Sequence, residues 1–389
     1  MFGLFETGFA SFTPENGIML AIGGVFLFLG IVKKMEPLLL VPIGFGVLLI
    51  NLPLGGLMET IVNGQIVEAY AIGGEPAGIL ARVFHYGLVW EIVPAFIFLG
   101  LGSMTDFGPV IANPKTLILG AGAQFGVYAA FFIALALGSA GVANFGLNEA
   151  ASIGIIGGAD GPTTIFLTNR LAPQLIGATA VAAYTYMAMV PIIQPPIIRA
   201  LTSKKERAIY MKPQLRPVSK LEKMLFPIIG AIIIILLVPK SAPLIGLFTL
   251  GNLLKESGVT DRLANTASNA FIDILTILLG ISVGAFMSAE SFLRPETLMI
   301  FGLGVAAFAA STFFGVILAK IMNLFLKEKI NPMIGAAGVS AVPMAARVVQ
   351  RMGQQENPRN FLLMHAMGPN VAGVIGTATA AGIFMGILG

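Results

Sequence analysis

The sequence predicts an all-α protein that crosses a membrane many times. Of the 389 residues, 56% are hydrophobic and only 11% are charged, whereas a soluble globular domain carries roughly 25% charged residues. The mean hydropathy is +0.89. The hydrophobic residues form stretches close to the roughly 20 residues that a helix needs to span a bilayer. These stretches are residues 15–32, 36–52, 87–104, 116–138, 173–197, 224–238, 241–255, 268–288, 297–322 and 360–388.

Two further segments are apolar enough to lie at membrane depth but too interrupted to form one straight helix. Glycine, proline and polar side chains break both residues 146–171 and residues 331–350. Discontinuous helices of this kind expose backbone groups near the middle of the bilayer. We therefore predict a polytopic protein of about 10–11 transmembrane helices, including two broken or re-entrant elements.

An internal repeat relates the two broken elements. Pro114-Lys-Thr-Leu117 recurs 181 residues later as Pro295-Glu-Thr-Leu298, and the same spacing places Pro162 over Pro343. If each half crosses the membrane an odd number of times, the broken elements enter from opposite faces and meet near the midplane. The sequence thus predicts an inverted-repeat, transporter-like architecture. Its units are an N-terminal membrane repeat, a connecting loop and a C-terminal membrane repeat, at residues 1–198, 199–223 and 224–389.

Charge predicts the orientation of the chain. The connecting loop carries the densest group of basic residues, and the positive-inside rule places such a loop in the cytoplasm. We therefore expect a multi-pass protein of the cell inner (cytoplasmic) membrane. Loops of this kind also account for the net charge of +4, so no nucleic-acid partner is indicated.

Several kinds of chemistry are excluded or disfavoured. The chain has no cysteine and two histidines, which excludes thiolate metal sites and argues against a transition-metal centre. It also lacks the Gly-x-x-x-x-Gly-Lys-Ser/Thr phosphate loop and the dinucleotide fingerprint. Neither ATP nor a nicotinamide is therefore predicted to supply energy within this chain.

A carboxylate lies at the break of the first element, in Gly157-Gly158-Ala159-Asp160-Gly161-Pro162. An ionised aspartate at membrane depth costs roughly 2.5–3.5 kcal/mol, so its presence indicates a partner or a function. The glycines and the proline are predicted to be structural, because they free backbone carbonyls beside the carboxylate. Such a set of hard oxygens suits sodium. The alternative is that Asp160 caps the following helix, which does not exclude ion binding.

The second broken element offers neutral oxygen donors in Asn331 and Ser340, which would complete a cation site. Arg347 lies seven residues after Ser340, hence about two turns along the same face if the helix is continuous. Arg347 either binds an anion or snorkels to the interface. The residues predicted to be structural here are Gly335, Gly338 and Pro343.

Two of the longer spans contain polar residues of interest. Asn370 lies in a Gly-Pro-Asn break of the last span, where it either adds an amide oxygen to a site or makes an interhelical hydrogen bond. Tyr186 could donate a hydrogen bond to Asp160 or relay a proton. Packing in an aromatic belt is the alternative for this tyrosine.

These motifs resemble a known family. Gly157-Gly-Ala-Asp-Gly-Pro-Thr-Thr164, continued by Ile165-Phe-Leu-Thr-Asn-Arg-Leu-Ala-Pro173, resembles the β subunit of sodium-translocating biotin-dependent decarboxylases. That family includes the oxaloacetate, methylmalonyl-CoA and glutaconyl-CoA enzymes. The resemblance extends through residues 184–196, 331–350 and 368–373, and covers essentially the whole chain.

The resemblance implies an enzyme that decarboxylates carboxybiotin while it pumps sodium outward and consumes a proton. Carboxybiotin would be delivered by a carboxyltransferase α subunit and a biotin carrier protein or domain, with no biotin attached to this chain. A small single-span γ/δ-type membrane subunit and a homo-oligomer are also implied. The alternative is a secondary transporter, either a sodium/proton antiporter or a sodium-coupled carboxylate symporter, with the same architecture and no chemistry.

The resemblance also assigns roles to individual residues. The implied catalytic residues are Asp160, Tyr186 and Arg347, with Arg347 also binding carboxybiotin. The implied sodium ligands are Asp160, Asn331, Ser340 and Asn370.

Overall fold

The computed structural model describes residues 7–67, 70–212 and 216–389. The fold is almost entirely helical. The α-helices are α1 (Pro14–Ile31), α2 (Pro37–Ile50), α3 (Ile79–Phe84), α4 (Ile92–Met104), α5 (Gly108–Ala112), α6 (Thr116–Ser139), α7 (Leu147–Gly154), α8 (Gly161–Leu171), α9 (Ile176–Leu201), α10 (Lys204–Arg207), α11 (Lys220–Leu237), α12 (Ala242–Glu256), α13 (Asp261–Thr266), α14 (Ile272–Ala285), α15 (Ala289–Phe292), α16 (Pro295–Phe325), α17 (Met344–Glu356) and α18 (Leu363–Leu388). Short 3₁₀ turns occupy Ile155–Gly158, Pro173–Leu175, Pro239–Ser241 and Pro332–Gly338, and π-helical turns occupy His85–Val89 and Ala267–Phe271.

The prediction of an all-α polytopic membrane protein is confirmed. Within the described ranges, six helical segments are long and apolar enough to cross a membrane, and a pair bent by 62°, Ile79–Val89 with Ile92–Met104, makes a seventh. Helix α2, with 14 residues, is apolar but shorter. Each of the ten hydrophobic stretches overlaps one of the longer helices: α1, α2, α4, α6, α9, α11, α12, α14, α16 and α18. The predicted total of about 10–11 also counted the short and broken elements.

A small sheet lies between α2 and α3, in a region that the hydrophobic pattern left without a structure. Its strands β1 (Thr60–Val62), β2 (Gln65–Val67) and β3 (Glu75–Pro76) pair antiparallel in the order β2-β1-β3. Thr60 pairs with Val67 on one side and with Pro76 on the other.

The first broken element is a hairpin that returns to the face from which it enters. Helix α7, the 3₁₀ turn at 155–158 and helix α8 follow one another, with the left-handed residue Ala159 (φ 54°) between the turn and α8. Arg170, in the last turn of α8, forms an ion pair with Glu91 at the start of α4. Because α6 ends shortly before α7 and α9 begins shortly after α8, both ends lie on the face opposite the connecting loop.

The second broken element returns to the face of the connecting loop. Its first residue and the end of α17 both bond to Arg207 of that loop: Asn331 Nδ2 donates to the Arg207 carbonyl at 2.7 Å, and Arg207 Nε donates to Glu356 Oε1 at 2.7 Å. The two broken elements therefore enter from opposite faces.

Helices from the two halves pack against each other reciprocally. Helix α2 packs on α14, α4 packs on α12, and α6 packs on α16. In two of these pairs an asparagine side chain links the partners. Asn51 Nδ2 donates to the Met287 carbonyl at 2.7 Å, and Asn252 Nδ2 donates to the Thr105 carbonyl at 2.9 Å. Asn51 follows α2 and binds the chain just after α14, whereas Asn252 lies in α12 and binds the chain just after α4. The two hydrogen bonds thus have similar places in the two halves. The division into two repeats itself stays a prediction.

Candidate functional site

The centre of the site is Asp160, the first residue before α8. Its side chain is only 4% exposed. Oδ1 accepts a hydrogen bond from the Thr163 backbone N–H at 3.1 Å, which is the capping arrangement considered from the sequence. Oδ2 is directed elsewhere, so capping uses only one of the two carboxylate oxygens.

Ser340, at the break of the second element, occupies the other oxygen. Its Oγ donates to Asp160 Oδ2 at 2.9 Å, and its backbone N–H donates to the Gly158 carbonyl at 2.8 Å. The two breaks are thus joined once through side chains and once through the backbone. A hydrogen bond to a buried charged group contributes about 1.5–3 kcal/mol, so this contact matters for how the elements are held.

Asn370, in α18, lies beside this contact. It is fully buried, and its Nδ2 donates to the carbonyls of Ala337 at 3.0 Å and Val339 at 2.7 Å. Asn370 therefore makes the interhelical bonds that were the alternative to ion binding. Its Oδ1, however, has no hydrogen-bond partner among the described residues, and remains available as a ligand.

Close packing explains several of the glycines predicted to be structural. A Cβ on Gly161 would overlap with the ring of Tyr184, and a Cβ on Gly158 would overlap with Thr377. A Cβ on Gly338 would lie 2.6 Å from the Leu119 carbonyl oxygen. The remaining members of that predicted group are also found at the breaks: Gly157, Pro162, Gly335 and Pro343.

The unpartnered buried oxygens of α8, α9 and α18 suit a hard cation. In the described part of the chain, the buried oxygens that lack a hydrogen-bond partner include Thr163 Oγ1, Tyr184 OH, Gln194 Oε1 and Asn370 Oδ1. No group of three or more His, Cys, Asp or Glu side chains that could hold a metal ion occurs in the residues described. One carboxylate with neutral oxygens is the donor chemistry that favours sodium-like ions over transition metals.

Asn331 does not join this group. Its Nδ2 donates to the carbonyls of Arg207 and Ile209, and its Oδ1 accepts from the Met333 backbone N–H at 3.1 Å. Among the described residues it has no hydrogen bond with Asp160. The structure thus shows Asn331 fastening the start of the second broken element to the connecting loop.

Tyr186 does not donate to Asp160, which corrects that expectation. Its hydroxyl donates to the Phe301 carbonyl in α16. Tyr184, two residues earlier, faces the carboxylate instead: its ring covers Gly161, and it is only 1% exposed. Successive helix residues differ by 100° around the axis, so two residues that lie two positions apart point in nearly opposite directions. Only one of the two tyrosines can therefore face Asp160.

Arg347 lies apart from the buried oxygens. It is exposed and lies in the first turn of α17, whose last residue, Glu356, pairs with Arg207 of the connecting loop. The conditional expectation of one continuous helix from Ser340 to Arg347 is wrong, because α17 begins only at Met344. The intervening residues are non-helical, which separates the arginine from the face that carries the serine.

Sequence reasoning passed over Tyr184, Thr163 and Gln194 as site residues. Gln194 Nε2 donates to the Ala336 carbonyl at 2.8 Å, so this side chain holds the second broken element from the side of α9. A glutamine inside an apolar span was the signal that could have identified it. For Thr163 and Tyr184, the sequence contains no signal that separates them from their neighbours.

The fold and the site define a class: a multi-pass helical membrane protein with a buried carboxylate where two broken helices meet. A family model described as "Na+-transporting oxaloacetate decarboxylase beta subunit" matches residues 15–388. Methylmalonyl-CoA decarboxylase subunit beta of Propionigenium modestum is 56% identical, covering 99% of this chain and 98% of the relative. The corresponding subunit of Veillonella parvula is 53% identical, covering 98% and 96%. Oxaloacetate decarboxylase beta chain 2 of Salmonella typhi is 52% identical, covering 95% and 94%.

The chain therefore belongs to the family of Na+-transporting decarboxylase beta subunits, and the resemblance found in the sequence is confirmed. Membership implies decarboxylase activity within a complex of several subunits.

Proposed function

We propose that this chain decarboxylates carboxybiotin and couples the reaction to outward pumping of sodium, with consumption of a proton. The carboxybiotin comes from a carboxyltransferase α subunit through a biotin carrier, and this chain itself carries no biotin. The observation that carries the proposal is the contact between Asp160 and Ser340 at the meeting point of the two broken elements.

Sodium is the transported ion in this proposal, and Asp160 is its charged ligand. Ser340 and Asn370 supply neutral oxygens, since both lie at the same contact. Asn331 belongs to the predicted ligand set, but its hydrogen bonds to the connecting loop favour a positioning role. A sodium ion and a proton compete for the Asp160 carboxylate, so its occupancy is exclusive.

Arg347 holds the anionic carboxybiotin at the cytoplasmic face. Its exposure supports this role, and so does its place in α17, the helix whose end pairs with Arg207 of the connecting loop. Loss of carbon dioxide from the N-carboxyl group leaves the electron pair on the ureido nitrogen of biotin, which takes up one proton. The exposed arginine neutralises the carboxylate before that step. Tyr186 stays a predicted catalytic residue, although its hydroxyl donates to the Phe301 carbonyl and not to Asp160.

Decarboxylation and sodium transport are coupled if the sodium-bound and the protonated forms of Asp160 favour different arrangements of the broken elements.

We also propose that the two halves are inverted repeats. The entry of the broken elements from opposite faces and the reciprocal packing of helices support this division into residues 1–198, 199–223 and 224–389. The chain is proposed to lie in the inner membrane as a homo-oligomer, with a small single-span γ/δ-type subunit.

The test uses the purified complex in sealed vesicles, with carbon dioxide release and uptake of radioactive sodium measured together. Addition of the carboxyltransferase substrate should start both, at a fixed ratio. Sodium movement that needs no carboxybiotin would instead support a secondary transporter. Co-purification of a biotinylated protein is a second discriminator, because an antiporter or symporter has no use for one.

A further inference from the structure

A cleft at the face of the connecting loop is not explained by the proposed function. We call it the basic cleft. Its volume is about 880 Å³, and it is bounded by the start of α6, the end of α16, the start of α18 and the connecting loop. Among the described residues, five cationic side chains line it against one carboxylate, Glu328; the cations are Lys115, Lys212, Arg216, Lys327 and Lys329.

Most of this charge is not neutralised by the residues that the structure describes. Arg216 donates to Glu222 Oε1 at 2.7 Å, and Lys329 donates to the Asn323 carbonyl. Lys115, Lys212 and Lys327 have neither a carboxylate within 4.0 Å nor a side-chain hydrogen bond among the described residues. Like charges gathered in a concave surface raise the local positive potential and attract anions.

The rim of the basic cleft is apolar and open to lipid. Phe325, which lines the cleft, is 84% exposed, and its neighbour Leu324 is 77% exposed. Ile118, in the first turn of α6 beyond Lys115, is 51% exposed. Lysines above a band of exposed apolar side chains at the ends of spanning helices correspond to the headgroup and acyl regions of one leaflet.

We propose that the basic cleft binds the headgroup of an anionic phospholipid, with its acyl chains along Ile118 and Phe325. Basic pockets between membrane helices on the cytoplasmic side suit such headgroups. An acidic protein surface would meet the lysines but not the apolar side chains below them. Arg347 does not line the cleft, so the site is separate from the carboxybiotin site proposed above.

Bound lipid would also touch the second broken element. Ile334, at the floor of the basic cleft, belongs to the 3₁₀ turn at 332–338, and Leu119 lies beside it. An anionic lipid in this position therefore packs against the segment that carries Ser340.

The experiment uses a tryptophan reporter in the complete complex. The chain has one tryptophan, Trp90, which lies beside the start of α4 on the opposite face. In a Trp90→Phe background, Phe325→Trp places the reporter at the rim, and Leu324→Trp serves as a second reporter. Fluorescence is measured in nanodiscs that contain brominated phosphatidylglycerol or brominated phosphatidylcholine at equal mole fraction.

We expect stronger quenching by the brominated phosphatidylglycerol, because each lysine near an anionic headgroup favours it by about fivefold. The combined change Lys115→Gln, Lys212→Gln and Lys327→Gln should remove this preference. The matched control replaces three exposed lysines outside the cleft lining on the same face: Lys34, Lys204 and Lys205.

The control variant should retain the preference. Equal quenching by the two lipids at both reporters would overturn the proposal. So would an equal loss of the preference in the test and control variants, since that indicates only the general charge of the face. A third result would assign the basic cleft to a protein partner instead: the soluble subunits are lost from the test variant, and the reporter protein with its lysines intact shows no lipid preference.

Discussion

Replacement of Asp160 by asparagine tests the central site most directly, because it removes a charge and almost no volume. In the structure, an asparagine can keep both hydrogen bonds of this side chain. Its Oδ1 still accepts from the Thr163 backbone N–H, and its Nδ2 can donate to Ser340 Oγ, which now accepts. The variant should therefore fold.

The expected free-energy changes for Asp160→Asn differ in sign between folding and sodium binding, so the two effects can be separated. An ionised aspartate at membrane depth costs roughly 2.5–3.5 kcal/mol, and asparagine avoids this cost. The thermal unfolding temperature without sodium should thus be equal to that of the wild type or higher. A charge about 4 Å from a cation contributes about 4 kcal/mol at an effective dielectric constant of about 20, which is about three orders of magnitude in sodium affinity.

The assay is sodium-dependent carbon dioxide release together with sodium uptake in vesicles that contain the complex. Asp160→Asn should abolish both. Asp273→Asn is the control, because Asp273 is an exposed carboxylate on α14, and it should behave as the wild type. Normal sodium-dependent turnover in Asp160→Asn would refute the assignment of this carboxylate.

Three further predictions concern side chains in contact with or beside Asp160, and a fourth concerns Asp106, between α4 and α5. Ser340→Ala removes a hydroxyl that the proposal assigns to sodium as a neutral ligand. Such a contact with a charged group contributes about 1.5–3 kcal/mol, so half-maximal decarboxylation should require about 10–150 times more sodium; an unchanged requirement would contradict the role of Ser340. Tyr184→Phe should lower sodium-dependent turnover more than Tyr186→Phe, because only the first removes a hydroxyl beside Asp160; the reverse order would be evidence against this placement. Gly161→Ala forces a Cβ into the Tyr184 ring and should lower stability by about 1–3 kcal/mol in thermal unfolding, whereas a companion Tyr184→Leu should restore it. Although partial burial raises it, the Gly108 N–H and Lys223 hold the pKa of Asp106 below its ordinary value. Its stabilisation is therefore present above about pH 3.9 and is lost as the pH falls further, and Asp106→Asn should remove that part of the acid-side fall in unfolding temperature.

The sequence predicted the helices well because membrane spans are set by length and hydropathy. It also predicted both breaks, since glycine and proline at membrane depth leave few other structures. The two π-helical turns, His85–Val89 and Ala267–Phe271, lie 182 residues apart, close to the 181-residue spacing of the predicted repeat.

The candidate site was predicted in part. Asp160, Ser340 and Asn370 come together because each lies at or against a break. The partners of Asn331 and Tyr186 could not be predicted. Both side chains donate to backbone carbonyls, and the sequence does not show which carbonyls lack a hydrogen-bond partner within their own helices or turns. Tyr184 and Tyr186 share one apolar helix, and composition cannot tell which of them turns toward α8 and which toward α16.

The amide side chains that hold the second broken element have a mechanical consequence. Gln194 fastens it to α9 and Asn370 fastens it to α18, while Ser340 fastens it to the first element. If the second broken element moved by itself relative to its neighbours, all three hydrogen bonds would have to break. Any displacement that keeps them moves both breaks together with α9 and α18, so the stiff unit of this protein is an assembly drawn from both halves of the chain.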